Sequence, residues 1–143
     1  MDSCVFCNVS LKRLNHLIGE DESSIAFLDR NPIARGHVLV IPKKHVEKVD
    51  ELSSEELRNY FVFISRVEKA VIEFAGVGGG CDIINHYHPF LEESELVKKH
   101  LHFHIIPRHF NDGVFRGERL SLSDDEMKAI ALKLSSILKN QRD

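Results

Sequence analysis

Polar and apolar positions alternate most strictly at His100-Leu101-His102-Phe103-His104-Ile105-Ile106-Pro107-Arg108, and a period of two predicts a half-buried β-strand with all three imidazoles on one face, about 6.6–7 Å apart. Pro107 has no N–H for a ladder, so the strand is predicted to finish there. Ser24 to Asp29 reads as another strand, stopped by the turn dipeptide Asn31-Pro32. After His37 the run Val38-Leu39-Val40-Ile41 is continuously apolar, the mark of a strand covered on both faces and therefore central. Cys81 to Asn85 reads as the next strand. The helical period is equally plain. Leu57, Tyr60, Ile64, Val67, Val71 and Phe74 recur in steps of three and four behind Ser53-Ser54-Glu55-Glu56, a capping box opening an amphipathic helix. A second capping box at Ser123-Asp124-Asp125-Glu126 precedes Met127, Ile130, Leu134, Ile137 and Leu138, predicting a C-terminal packing helix over about 123–139. Leu11 to Ile18 carries a weak signal for a short helix and then a strand. The glycines at 76 and 78–80 trail a helix and lack a following Gly-Lys-Ser/Thr, so they read as a C-cap and connection and not as a phosphate loop.

Short strands with two long helices argue one α+β domain with an antiparallel sheet, spanning 1–143. At 143 residues and 43% hydrophobic content the chain suits a single core. The formal net charge of −3, with no long run of one sign, disfavours extended nucleic-acid binding but not a single nucleotide. No apolar run of about 18 residues and no signal-peptide pattern is present, which predicts no membrane segment and a cytoplasmic protein. Three cysteines without a disulfide framework fit a reducing compartment.

The histidine row offers a nucleophile or base near neutral pKa, hydrogen-bond donors and metal ligands; a merely solvated strand face is the bland alternative. Cys4-Val5-Phe6-Cys7 fits either a redox pair or half of a zinc site. Asp29, at a strand end, can accept hydrogen bonds from the two hydroxyls of a ribose or cap the Asn31-Pro32 turn.

The histidines alternating with apolar residues resemble the signature of the histidine-triad (HIT) hydrolases and transferases. Cys4 and Cys7, Phe27-Leu28-Asp29-Arg30-Asn31-Pro32, Gly36-His37 through Lys44-His45, and Ile83-Ile84-Asn85 look similar to the same family, so the resemblance runs from residue 4 to residue 108. It implies a five-stranded antiparallel sheet with a long packing helix and a C-terminal helix, and a homodimer joined sheet edge to sheet edge. It implies a structural zinc held by Cys4, Cys7, His45 and His100. It assigns His102 as the nucleophile, His104 as donor to a phosphoryl oxygen, and Phe6, Leu28, Asp29, Arg30 and Asn85 as base, ribose and phosphate contacts. The activity implied is hydrolysis or nucleotidyl transfer at the α-phosphorus of nucleoside phosphoramidates or dinucleoside polyphosphates, releasing a monophosphate such as AMP. The chain departs from the family between His86 and Lys99. Many relatives carry a short loop with Gly, Gln and Ser there, and this one is longer, glycine-free and highly charged. Lys98, Lys99, His86, His88 and Ser94 are possible substitutes for the usual leaving-group donor. Two readings from other classes stay open: a metal-dependent hydrolase with the triad as ligands, and a nucleotide-binding interaction protein with little catalysis.

Overall fold

The computed structural model describes residues 4–9, 14–94 and 96–141. Its centre is a five-stranded antiparallel sheet of β1 (Leu17–Glu20), β2 (Ser24–Leu28), β3 (Val38–Pro42), β4 (Gly80–Asn85) and β5 (Phe103–Arg108), in spatial order β1-β2-β3-β5-β4. β3 is the central strand and every one of its residues is buried, as its unbroken apolar run requires. The weakly signalled segment at 11–18 ends in a 3₁₀ turn, Leu14–His16, followed by β1; its first residues, Leu11 to Arg13, lie outside the described residues.

Two helices cover one face. α1 (Ser54–Ala75) opens on the reciprocal capping box of Ser53 and Glu56 and closes at Gly76, where φ is 85°, a conformation glycine adopts without a Cβ penalty. It buries Tyr60, Phe63, Ile64, Val67, Ala70 and Val71, and the Tyr60 hydroxyl donates to the Val40 carbonyl at 2.6 Å. α2 (Asp124–Lys139) starts where the Ser123 hydroxyl accepts the Glu126 N–H and adds Met127, Ile130, Ala131, Leu134 and Leu138. These side chains share one core with Ala26, Leu28, Val38, Val40, Phe103 and Ile105 of the sheet. Alternate residues point the other way. Ile25, Phe27, Leu39 and Ile41 form a second, smaller core closed by Phe6 and Val9 of the N-terminal segment.

β5 departs from expectation at both ends. It begins at Phe103, because His100 to His102 leave the ladder to run beside Val46, whose carbonyl accepts the Leu101 N–H at 2.6 Å. It continues through Pro107 to Arg108, paired with β4 from Gly80 onward. The β3 ladder has already ended at Ile105, so on that side no partner waits for an N–H at 107. Just before β3, Gly36 has φ of 88°, and a Cβ there would come within 2.6 Å of the Phe74 ring; glycine is what lets the chain turn into His37 against the end of α1.

Candidate functional site

The sheet face opposite the helices carries the chemistry. His104 pairs with Leu39 across β3 and with Ile84 across β4, so its ring stands on the face away from the helix-side core. His102 lies beside it, with ring centroids 5.0 Å apart, and Phe6 meets the His102 ring edge-on at 5.4 Å. Both histidines form the floor of a groove. On one side is a cavity of about 340 Å³, bordered by His37, Ile84, His86, Lys98 and Arg119 among others. On the other is a narrower recess bordered by Phe6, Asp29, Arg30 and Asn31. Leu96, Lys98, His102, His104 and Arg119 belong to both.

Backbone groups fix the tautomers. The His102 Nδ1–H donates to the His100 carbonyl at 2.7 Å, which leaves the Nε2 lone pair free. His37 is fully buried. Its Nδ1 accepts the Ile33 N–H at 3.2 Å, so its proton is on Nε2, from where it donates to His104 Nδ1 at 2.9 Å. His104 must then carry its own proton on Nε2. Burial, followed by neighbouring cationic groups, pulls these imidazoles below their ordinary pKa: His37 to about 3 by burial, Arg119 and His102, and His104 far down by burial, His102 and His37. His102 is also lowered, chiefly by burial. At neutral pH the floor of the groove is a set of neutral rings with defined donors and acceptors.

Asp29 makes the turn-capping contact of the two roles the sequence left open. Its Oδ1 accepts the Asn31 N–H at 2.8 Å, the turn-capping contact, while Oδ2 lies 3.5 Å from His37 Nε2 and 3.5 Å from Arg119 Nη1 at the edge of the recess. Phe6 and Arg30 border the same recess. The structure does not bring Leu28 and Asn85 there. Leu28 is 1% exposed in the helix-side core, and Asn85 pairs with Phe103, whose side chain also points to the helices.

The four expected metal ligands do come together. Ligand atoms of Cys4, Cys7, His45 and His100 all lie within 4.8 Å of one another. Cys7 Sγ is 3.3 Å from His45 Nδ1, and Cys4 Sγ is 3.5 Å from His100 Nδ1. The His100 Nε2–H donates to the Pro42 carbonyl at 2.8 Å, which turns Nδ1 toward the thiols, the arrangement metal-ligating histidines adopt. Burial and the neighbouring Cys4 push the Cys7 thiol up to about 11, a proton that a bound dication would displace. This donor set fits a divalent metal with soft character. Asp29, His37 and His104 also converge within 4.8 Å, but His37 Nε2 and His104 Nδ1 are spent on each other.

Two residues of the site carried no assigned role in the sequence. His37 opens an apolar run and breaks no periodicity. Arg119 comes from the irregular segment between β5 and α2, held by Arg108 and the His109 and Val114 N–H groups on the Asp112 carboxylate and by the Leu120 N–H on the Pro32 carbonyl at 2.7 Å.

The HIT domain family model matches residues 12–111. An uncharacterized HIT-like protein of Methanocaldococcus jannaschii is 40% identical over 128 residues, covering 87% of this chain and 95% of its own. Adenosine 5'-monophosphoramidase hnt1 of Schizosaccharomyces pombe is 32% identical over 140 residues, 96% of this chain and 99% of its own. Among solved structures, a hypothetical histidine triad nucleotide-binding protein from Sulfolobus tokodaii superposes with a TM-score of 0.78 at 27% identity, over 96% of this chain and 93% of the other. A Zn-bound histidine triad family protein from Mycobacterium smegmatis superposes at 0.73 and 25%, over 98% and 99%. Among the described residues, no helix is long and apolar enough to cross a membrane.

Neutral burial of His37 and His104 makes stability pH-dependent. Their folded pKa values lie below the ordinary 6.5, so below that pH the unfolded chain binds more protons and stability falls as pH falls, toward about 3 for His37, by up to about 1.4 kcal/mol per pH unit for each group. Urea midpoints are expected to drop between pH 7 and pH 5 and to drop less steeply in His37→Gln; a midpoint that is flat or rises on acidification contradicts the assignment.

Proposed function

The chain belongs to the HIT family, and on that premise we propose that it is a nucleotide hydrolase or nucleotidyl transferase that cleaves at an α-phosphorus through a covalent nucleotidyl-His102 intermediate. The observation that carries this reading is the 2.7 Å bond from His102 Nδ1 to the His100 carbonyl. A neutral imidazole committed in that way presents Nε2 as a nucleophile with no proton to lose first. The Nε2 lone pair forms the N–P bond. The leaving atom departs with the electron pair of its bond to phosphorus and is protonated from solvent. Water then bonds to phosphorus and gives up a proton, the N–P pair returns to Nε2, and the nucleoside monophosphate is released. His104, with its proton on Nε2 and its other nitrogen occupied by His37, donates to a phosphoryl oxygen where negative charge grows. At the edge of the groove, Arg30 and the Asp29 carboxylate are placed to meet the ribose hydroxyls of a nucleotide lying over His102 and His104. The phosphoramidase relative supports AMP as the released product.

Cys4, Cys7, His45 and His100 would hold a structural zinc. Such an ion would neutralise two thiolates and rigidly link the N-terminal segment to His100. The chain's own residues do the rest, because His100 is also the residue whose carbonyl orients His102.

The open edge of the sheet suits a homodimer. β4 is an edge strand, Ile83 is 38% exposed on it, and Phe61 and Val62 of α1 are 40% and 56% exposed. An unpaired edge beside apolar side chains favours pairing with a second copy.

Mixed briefly with an adenosine 5'-phosphoramidate, the wild type is expected to show a transient adduct of nucleotidyl mass on His102 and to release AMP. His102→Ala loses turnover, and His104→Ala loses about 10²–10³ in rate; near wild-type turnover by His102→Ala excludes the mechanism. Elemental analysis is expected to find one zinc per chain, with Cys7→Ser losing the metal and melting at lower temperature while His102→Ala keeps it. Light scattering is expected to give twice the chain mass, and a monomer at micromolar concentration overturns the dimer.

A further inference from the structure

Arg119 lies beyond residue 111, where the match to the HIT model ends, and the reaction described above gives it no task. Yet it borders both halves of the groove, alongside His102 and His104. Its guanidinium and two imidazoles of the site converge on one atom. Oδ2 of Asp29 is 3.5 Å from Arg119 Nη1, 3.5 Å from His37 Nε2 and 4.0 Å from His104 Nδ1. Nη1 also donates to the Asn31 carbonyl at 2.6 Å, and the N–H of the next residue, Leu120, donates to the Pro32 carbonyl at 2.7 Å. The guanidinium is thus held by one nitrogen, with no substrate needed to place it. Among the described residues, Nη2 and Nε make no hydrogen bond, so two nitrogens of a planar fork are left to a ligand. The triad leaves a need that this fork meets. Burial keeps His102 and His104 neutral, so they bring to a phosphoryl group a lone pair and an N–H but no positive charge.

We propose that Arg119 is a catalytic residue of this reaction, its Nη2 and Nε donating to non-bridging oxygens of the α-phosphoryl group that His102 attacks. The proposal rests on the reading of His102 as the nucleophile. As Nε2 bonds to phosphorus and the leaving atom departs with the electron pair of its own bond, charge is spread over the remaining phosphoryl oxygens. The guanidinium meets that charge with two charge-assisted hydrogen bonds. Arg119 neither gains nor loses a proton in the step. It supplies the positive charge that the neutral rings lack, while His104 supplies a neutral N–H. A donor held in place before the substrate arrives costs no reorganisation when the charge develops. Lys98 shares the junction of the two halves, but an ammonium is a point charge without the planar fork that matches two phosphoryl oxygens.

Binding and chemistry can be read separately. Calorimetry would compare adenosine with AMP on wild type, Arg119→Ala and Arg119→Lys. The preference for AMP over adenosine is expected to shrink at least about tenfold in Arg119→Ala, the effect of losing a charge-assisted contact. It should shrink less in Arg119→Lys, which keeps the charge and loses the fork. Rapid mixing with adenosine 5'-phosphoramidate then follows formation of nucleotidyl-His102 in a single turnover. Arg119→Ala is expected to form it about 10²–10³ more slowly, and methylguanidinium at a non-denaturing concentration should restore part of that rate while leaving wild type unchanged. A side chain that only clasps Asp29 and Asn31 gives a different pattern, in which adenosine and AMP weaken alike and no small cation restores the rate. That pattern overturns the proposal, as does adduct formation at the wild-type rate in Arg119→Ala, and both leave the His102 mechanism standing. A wild type that forms no adduct, but whose preference for AMP still depends on Arg119, overturns the His102 reading and keeps the phosphoryl contact.

Discussion

An imidazole taken out of water has to be neutral, and both of its nitrogens need partners of the right kind. Much of this site follows from that constraint. Three backbone groups decide the protons: the Ile33 N–H sets His37, the His100 carbonyl sets His102, and the Pro42 carbonyl sets His100. His104 then has no choice, since the Nε2–H of His37 claims its Nδ1. No side-chain carboxylate orients the proposed nucleophile. A backbone carbonyl does it, and that acceptor belongs to the residue whose ring faces the two thiols. The metal-type cluster and the reactive ring are therefore joined through one residue, and a disturbance of the cluster reaches His102 by a short path.

The sheet makes this possible by burying both of its faces. On the helix side, α1 and α2 close a large core over β2, β3 and β5, and Gly36 lets the chain enter β3 against Phe74 so that His37 comes up beneath His104. On the other side, Phe6 and Val9 cap a small core around Phe27 and Leu39. Phe6 works for both sides of the argument, packing on Phe27 at 5.3 Å and on His102 at 5.4 Å. A ring so placed excludes water from one flank of the nucleophile and leaves the groove side open.

Much of the fold was legible because it obeys local rules. The 3.6 period, the Ser53 capping box and the glycine at 76 placed the long helix within a residue or two. Errors arose where tertiary contacts overrule local pattern. The alternation from His100 reads as strand, yet the first three residues leave the ladder to meet Val46 and the cysteines. Pro107 reads as a terminator, yet it sits in the strand because its β3 neighbour has already ended. Similarity to a motif carries residue types but not the face of a strand, which is why Leu28 sits in the helix-side core and Asn85, paired with Phe103, borders neither side of the groove. Arg119 had no signal at all. Its place depends on a turn closed by Asp112 and on one hydrogen bond to Pro32, neither of which leaves a periodic trace.

The segment from Glu92 to Lys99 shows the same limit in electrostatic form. As a string it mixes acids and bases, and the ordinary reading of such a loop is a solvated one. Folding brings Lys98 and Lys99 to the groove while the Glu93 carboxylate holds the loop backbone. A permanent cation beside a buried imidazole disfavours its protonated form. Lys98 acts in that sense on His102, and Arg119 on His37, His86 and His104. The cations that border the groove, Lys98 and Arg119, are thus the groups that help keep the histidines neutral, and one arrangement of charge preserves a free lone pair on His102.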